Sequence, residues 1–600
     1  MIYQTTINGI PALQAPGDGP TRGGLTFRVG QADEPLSRAG ITHLIEHLAL
    51  HRLGLTDYHF NGATGSTVTH FYSQGSPDDV GEYLNNVSAA LNDLPLDRLP
   101  MEKDILRTEA AGKGHSPAEP MLLWRYGARG YGVSSYPEWG LGELTPDDLR
   151  AWIARYFTSN NAVLWFSGSI PANLKVSLAP GVRQPLPAVT SALPTTPAWF
   201  EGPPRTVAMH TVVGRSAAAQ VYADVLEREL FRALRQEGGF SYTAATGYEP
   251  IDKDTAAIIA LADANPEKQD AALGAFVDVV AKLRWGTFNQ IDLDATKSKV
   301  RETLSDPEID GQRLPQAAFN LLIDGPMYDV AEVIRQVDAV TLNDLRPIAE
   351  AAAANALLMV PEDRRADWAG YTAAPTDSPA PLMGATHQMR GDGNVALIVG
   401  SEGVSITHPG GTVTVRYAEC SVALAYPDGG RLLIGHDGIT CRVEPTLYAI
   451  DPATMASIDA GVRAVTVRMP ARDPDSIPQP APLNQLRGAS GGGLKSKADT
   501  DQFRAVLGEQ NVPVAAASAG ATATAAPGKY YGLTIAGLIV FAVLSVFCGL
   551  ISIAGTPQWL DDPELEGGAR GVVLFLSWGG TAALVTVTVL LVLRLRRHRP

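Results

Sequence analysis

The chain has 600 residues, 45% hydrophobic content and a formal net charge of −15, enough apolar material for several cores. An acidic balance argues against a nucleic-acid partner, which calls for a clustered basic face. Three cysteines, Cys420, Cys441 and Cys548, are too few and too scattered for a disulfide framework or a cysteine metal site; they read as small buried hydrophobes of a reducing compartment, with a Cys420 to Cys441 pair left open.

The start, Met-Ile-Tyr-Gln-Thr-Thr-Ile-Asn-Gly, lacks the basic residues and apolar run of a secretory signal, so the N-terminal side is expected in the cytoplasm. The first segment with chemistry is Gly40-Ile-Thr-His-Leu-Ile-Glu-His-Leu-Ala-Leu50, an H-x-x-E-H array. Residues four apart on a helix share a face, so His43 and His47 can ligate one ion while Glu46 faces the same space. Two imidazoles suit zinc, and this order is the inverted form of the H-E-x-x-H signature. A catalytic zinc needs one more protein ligand and an open position for water, with a carboxylate as general base. Glu46 has the spacing for that base. His51, one turn on, and His70 are further nitrogen ligands to weigh.

Three later segments matter. Asn61-Gly-Ala-Thr-Gly-Ser-Thr-Val-Thr-His-Phe71 follows the helix. In Met101-Glu-Lys-Asp-Ile-Leu-Arg-Thr-Glu-Ala110, Glu102 and Glu109 lie seven apart on one helical face, where solvated surface charges are equally expected. In Leu234-Arg-Gln-Glu-Gly-Gly-Phe-Ser-Tyr242 a Gly-Gly turn after a helix separates Arg235 from Tyr242.

Residues 1 to about 365 contain one unit twice. Leu144-Thr-Pro-Asp-Asp-Leu-Arg-Ala-Trp-Ile-Ala-Arg-Tyr-Phe, then Asn161-Ala-Val-Leu-Trp-Phe-Ser-Gly168, has its counterpart in Val340-Thr-Leu-Asn-Asp-Leu-Arg-Pro-Ile-Ala-Glu, then Asn355-Ala-Leu-Leu-Met-Val-Pro361. Each reads as a capped helix leading into an apolar strand. Amphipathic helices are expected over Ala217 to Arg235 and Lys268 to Trp285. The fold class is therefore α+β, a tandem pair of homologous α+β domains at 1–190 and 198–365.

A Pro-containing linker from about Gly370 to Pro381 leads to a small antiparallel β domain at 386–470, closed by a helix that starts at Asp451-Pro. Strands followed by one capping helix look like a pleckstrin-homology-like barrel. Arg416, Arg431 and Arg442 are too few and dispersed for a lipid-headgroup site. Residues 474–528, rich in Pro, Ala, Gly and Ser, read as a flexible tether with a short helix around Thr500 to Leu507. The uncharged apolar runs 532–555 and 571–593 are each long enough to span a bilayer. Asp561, Asp562, Glu564 and Glu566 lie between them, and the tail at 594–600 carries Arg594, Arg596, Arg597 and Arg599. By the positive-inside rule this is a two-helix hairpin in the cell membrane, with the tail and all N-terminal domains on the cytoplasmic side.

The residues up to about 365 resemble the pitrilysin, insulin-degrading enzyme and mitochondrial processing peptidase family of inverted zincins. The resemblance rests on Phe27-Arg-Val-Gly-Gln-Ala-Asp-Glu-Pro35 followed by the H-x-x-E-H helix, on the Glu102/Glu109 helix, on the Asn61 segment and on the Arg235/Tyr242 pair. It implies Zn held by His43, His47 and Glu109, with Glu46 as base and Glu102 as a support in the catalytic site. It further implies a peptide placed by Asn61 with its edge strand and by Arg235 and Tyr242, and a chamber completed by a homodimer or by a related half-chamber subunit. The stretch from His47 to Glu109 is shorter than is usual in the family, and Gly62 stands where Ala is usual. The activity implied is that of a membrane-anchored zinc metallopeptidase hydrolysing peptides or unfolded segments; the alternative is a peptidase-fold protein without turnover that organises partners at the membrane.

Overall fold

A computed structural model describes residues 1–51, 59–112 and 119–480. Six strands, β1 (Tyr3–Ile7), β2 (Ile10–Ala15), β3 (Thr21–Phe27), β4 (His59–Thr64), β5 (Thr69–Gly75) and β6 (Ala162–Ser167), form a sheet in the order β1-β2-β6-β3-β5-β4. The helices of this half are α1 (Ile41–Leu50), α2 (Pro77–Asn92), α3 (Leu99–Gly112), α4 (Glu119–Tyr126) and α5 (Pro146–Tyr156). The second sheet comprises β7 (Ala198–Glu201), β8 (Thr206–Gly214), β9 (Ala244–Pro250), β10 (Thr255–Asp263), β11 (Leu357–Val360) and β12 (Thr372–Ala373), in the order β12-β7-β11-β8-β10-β9. Its helices are α6 (Ala217–Leu230), which runs on into a π-helical stretch at Phe231–Glu237, α7 (Gln269–Arg284), α8 (Gln290–Leu304), α9 (Ile309–Gln312), α10 (Leu314–Leu322), α11 (Val330–Ala339) and α12 (Leu342–Ala354).

The two sheets share one topology. In each, the first strand of the repeat runs parallel to the last (β2 with β6, β7 with β11), and every other pairing within the repeat is antiparallel. Both closing helices begin on capping boxes, Thr145 with Asp148 and Thr341 with Asp344, which satisfy otherwise orphaned N-terminal amides. The linker expected from about Gly370 contributes β12, which pairs with β7 at the edge of the second sheet.

Strand alternation sorts each sheet into two apolar faces. In the first, Leu25, Phe27, Phe71, Leu164 and Phe166 pack under α1 and α2, while Leu13, Val163 and Trp165 face Leu314, Ala318 and Leu322 of α10. In the second, Met209, Ile258 and Leu358 pack under α6 and α7, while Phe200, Ala208 and Met359 face Met121 and Trp124 of α4. Each half thus lends a helix to the far face of the other's sheet. Buried Arg125 adds a polar lock, donating to the His210 and Asn355 carbonyls at 2.8 and 2.6 Å and to Asn355 Oδ1 at 2.8 Å.

Strands β13 (Ala385–Met389), β14 (Asp392–Val399), β15 (Gly403–His408) and β16 (Gly411–Arg416) form a third sheet, and β17 (Cys420–Ala425), β18 (Arg431–Gly435), β19 (Thr440–Val443) and β20 (Thr466–Arg468) a fourth, ordered β19-β18-β17-β20. Helix α13 (Pro452–Val462) does not close this domain as expected: β20 follows it and pairs in parallel with β17. Cys420 and Cys441 are free and buried in the shared apolar core. The outer face of the fourth sheet, through Val422, Leu424, Ile434 and Val467, packs on Leu36, Ala39, Ala128 and Val133 of the first half. No helix among the described residues is long and apolar enough to cross a membrane. The predicted spans at 532–555 and 571–593, the basic tail and nearly all of the tether lie outside the described residues.

Candidate active site

Helix α1 starts at Gly40, whose φ of 95° is a left-handed conformation suited to glycine. The buried Glu34 carboxylate caps it, accepting from the amides of Gly40 (2.8 Å) and Thr42 (2.9 Å). Burial pushes Glu34 up to about 7. Ile41, Leu44, Ile45 and Leu48 fill the core below the helix. The opposite face holds His43 and His47, half-buried, their rings edge-to-face with centroids 4.9 Å apart.

Glu109 of α3 approaches both rings. Its Oε2 lies 3.9 Å from His43 Nε2 and 3.5 Å from His47 Nε2, and the three residues present ligand atoms within 4.8 Å of one another. The other ring nitrogens face carboxylates as well. His43 Nδ1 is 2.9 Å from Glu138 Oε1, and His47 Nδ1 is 3.5 Å from Glu102 Oε2. An Nδ1–H aimed at a carboxylate fixes the tautomer and leaves the Nε2 lone pair for a ligand. Burial alone would depress His43, but the hydrogen bond and charge of Glu138, with Glu46 and Glu109, outweigh it and hold the ring above its ordinary value. Two imidazoles and one carboxylate, each imidazole backed by a second carboxylate, are a donor set that fits a catalytic zinc.

Glu46 is buried beside the pair. Burial raises its pKa, opposed by a hydrogen bond from Thr64 Oγ1 (2.8 Å) and by the charges of His43 and His47. Thr64 belongs to β4, the outermost strand of its sheet, which passes directly over Glu46. A Cβ on Gly62 would lie 2.5 Å from Glu46 Oε1 and 2.8 Å from its Cγ. With glycine at this position, the strand packs in direct contact with this carboxylate. Asn61 sits on the same strand, its side chain accepting from the Gly62 amide at 2.9 Å and its carbonyl from Tyr83 Oη at 2.8 Å.

The remaining predicted residues fall as follows. Glu102 is buried and is also held by Arg98 at 3.2 Å. His51 lies 4.0 Å from Glu102 rather than beside Glu109. His70 is not a ligand: it lies on the face of its sheet opposite α1, Nδ1 at 2.9 Å from Thr26 Oγ1, with burial pushing it down to about 4. Arg235 lies over the Tyr242 ring, 4.6 Å from its centroid, and over Phe231 at 5.1 Å. Tyr242 is 70% exposed, and among the described residues the partners of the pair (Phe231, Asp263 and each other) belong to the second half. The metal cluster and this pair are thus two separate groups.

Glu138 and the role of Thr64 escape the sequence. Glu138 lies in irregular chain far from His43, where no periodicity marks it. Thr64 stands in a legible strand, but only the close approach of β4 to α1 reveals its partner.

No family model and no curated protein matches the chain. Solved structures do. A protease from Helicobacter pylori superposes with a TM-score of 0.51 at 17% identity, over 60% of this chain and 99% of its own. A peptidase M16 inactive domain from Pseudomonas fluorescens gives 0.50 at 16%, over 61% and 98%. The fold is similar to that of M16 peptidase domains. At these identities the likeness concerns the fold alone, and one neighbour is described as a protease while the other is described as an inactive M16 domain.

Proposed function

We propose that this chain is a zinc-dependent endopeptidase acting on peptides or unfolded segments. It is tethered by its C-terminal hairpin to the cell membrane, with the M16-like halves and the β domain on the cytoplasmic side. The observation that carries this reading is the convergence of His43, His47 and Glu109 beside a buried Glu46, under an outermost strand. His43, His47 and Glu109 would hold the ion. When bound, zinc supplies Lewis acidity that lowers the pKa of water toward neutrality and polarises a peptide carbonyl.

The protein's own groups do the rest. Glu46 Oε2 is occupied by the Thr64 hydroxyl, which leaves Oε1 to take a proton from the attacking water and hand it to the departing amine. The raised pKa brings the carboxylate closer to neutral pH, where both transfers are efficient. Strand β4 pairs only with β5 among the described residues, so its outer backbone groups can align an extended peptide by strand addition. Arg235 and Tyr242 offer a charge and a hydroxyl to a peptide carbonyl and its developing negative charge. With their contacts confined to the second half, they fit a peptide bound by a paired chain, either a homodimer mate or a related half-chamber subunit.

The inactive M16 neighbour motivates a second reading, a membrane-tethered binding or assembly module without turnover. Zinc content and cleavage of a peptide library, with and without chelator, decide between them. The enzyme reading expects one zinc per chain and chelator-sensitive cleavage, and expects Glu46→Gln to retain zinc while losing cleavage. Stoichiometric zinc with no cleavage of any peptide leaves only the module.

A further inference from the structure

Besides Ala128 and Val133, the β domain touches the first half at two segments that set the helix of His43 and His47. One is the lead-in, Leu36 to Gly40; the other is the stretch Tyr136 to Glu143, which carries Glu138. Leu36 and Ala39 pack with Val422, Leu424, Leu432, Ile434 and Val467, and Tyr136 and Trp139 border the same cluster. Arg468 of β20 clasps Glu143, Nε to Oε1 at 2.8 Å and Nη2 to Oε2 at 2.7 Å.

The two segments are also pressed together. A Cβ on Gly40 would sit 2.9 Å from Glu138 Cβ and Leu141 Cγ, and a Cβ on Gly140 would sit 2.5 Å from the Arg38 backbone. A shift of either segment therefore moves both the first turn of α1 and the carboxylate on His43 Nδ1. Short chain on both sides of Glu138 has little regular structure of its own: Trp139–Gly142 is a single 3₁₀ turn. The stretch around Glu138 is held from two sides: by Leu141 and Leu144 in the first half's core with Lys103 on the Gly142 and Leu144 carbonyls, and by Tyr136, Trp139 and Glu143 against the fourth sheet.

From this we infer that the β domain is a positioning module for the metal site: its β17-β18-β20 face holds Glu138 on His43 Nδ1, and Glu138 orients that ring. The inference rests on the metal-site reading above, and goes beyond it by making metal affinity depend on a domain that supplies no ligand. Partners that orient ligating histidines typically change metal affinity about 10–100-fold when removed.

The test is titration of the full-length chain with Co(II) as the probe, followed by its visible absorption and by competition with a chelator. Glu138→Ala should weaken binding about 10–100-fold, and Glu138→Gln, which keeps an acceptor for Nδ1–H, should recover part of that loss. Val467→Asp, which places a charge in the interface, should weaken Co(II) and alter its spectrum in the parent background but add nothing in the Glu138→Ala background. Glu143→Ala, which removes only the clasp at the rim, should act in the same direction with smaller size and guards against a Val467→Asp variant that fails to fold. Equal affinity and spectrum for Glu143→Ala and parent, or losses that simply add to that of Glu138→Ala, overturn the inference while leaving the metal site standing. A parent chain that binds no Co(II) overturns the metal-site reading itself.

Discussion

The two halves place the same pair of helices beside the same sheet and do opposite things with them. In the first, α1 and α3 bring His43 and His47 against Glu109, with Glu102 and Glu138 behind the rings and Glu46 alongside. In the second, α6 and α8 occupy the corresponding places. There Asp292, fully buried, accepts from Arg228 at 3.0 Å and Arg232 at 2.7 Å, and buried Glu229 pairs with Lys282 at 2.7 Å. The second half neutralises its carboxylates with its own cations. Among the described residues, the first gathers carboxylates around two imidazoles with Arg98 alone on Glu102, an arrangement that would suit a divalent cation. The lesson is that one helix–helix seam sets its carboxylates against arginines in one half and against imidazoles in the other, the latter being the seam proposed to hold a metal.

The sharpest break of this comparison is Glu46→Gln. It keeps all three proposed ligands and removes the base, so zinc content should hold while kcat falls about 10²–10⁴-fold. Next comes a matched pair across the halves. Glu109→Ala should abolish stoichiometric zinc yet leave the melting of the metal-free chain within about 0.5 kcal/mol, since Glu109 is half exposed. Asp292→Ala should do the reverse: zinc unchanged, stability down by about 1–3 kcal/mol, the partial exposure of both arginines limiting the cost. If Asp292→Ala also lost zinc, the seams would not be independent.

A smaller effect is expected from Gly62→Ala. The added methyl must displace the Glu46 carboxylate, so kcat should drop about tenfold with zinc retained, on the scale of a modest misplacement of a catalytic group. An unchanged kcat would show that Glu46 has room the structure does not display. The smallest change is a displacement of the pH profile by Thr64→Val. The Thr64 hydrogen bond favours the ionised carboxylate and partly offsets the rise caused by burial; without it the Glu46 pKa rises further. Because the base must be ionised, the acidic limb of the kcat profile should move to higher pH, with little change on the alkaline plateau. A limb that stayed in place would assign it to another group.

Local regularity made much of this legible. The spacing of His43, Glu46 and His47 implies one helical face because the α-helix repeats every 3.6 residues, and the continuous apolar run Ala-Val-Leu-Trp-Phe after Asn161 marks a buried strand. The capped helices ahead of β6 and β11 were visible for the same reason, and with them the duplication. What stayed hidden is whatever depends on two distant stretches meeting. The exchange of α4 and α10 between the sheets is such a case: each helix shows an apolar face, but nothing in its own residues says which sheet it covers. The strand after α13 leaves no trace in the sequence because β20 is only Thr466–Arg468, too short for a periodic signal.

By itself the sequence determined the helix that presents His43, Glu46 and His47 on one face, and the repeated α+β unit, since these follow from periodicities of a few residues. Only the tertiary structure decided that Glu138 backs His43, that Thr64 and Gly62 fit around Glu46, that His70 points away, and that the β domain rests on the metal helix's lead-in. Those facts arise from packing between segments far apart in the chain, where position is set by shape and burial and leaves no pattern along the sequence.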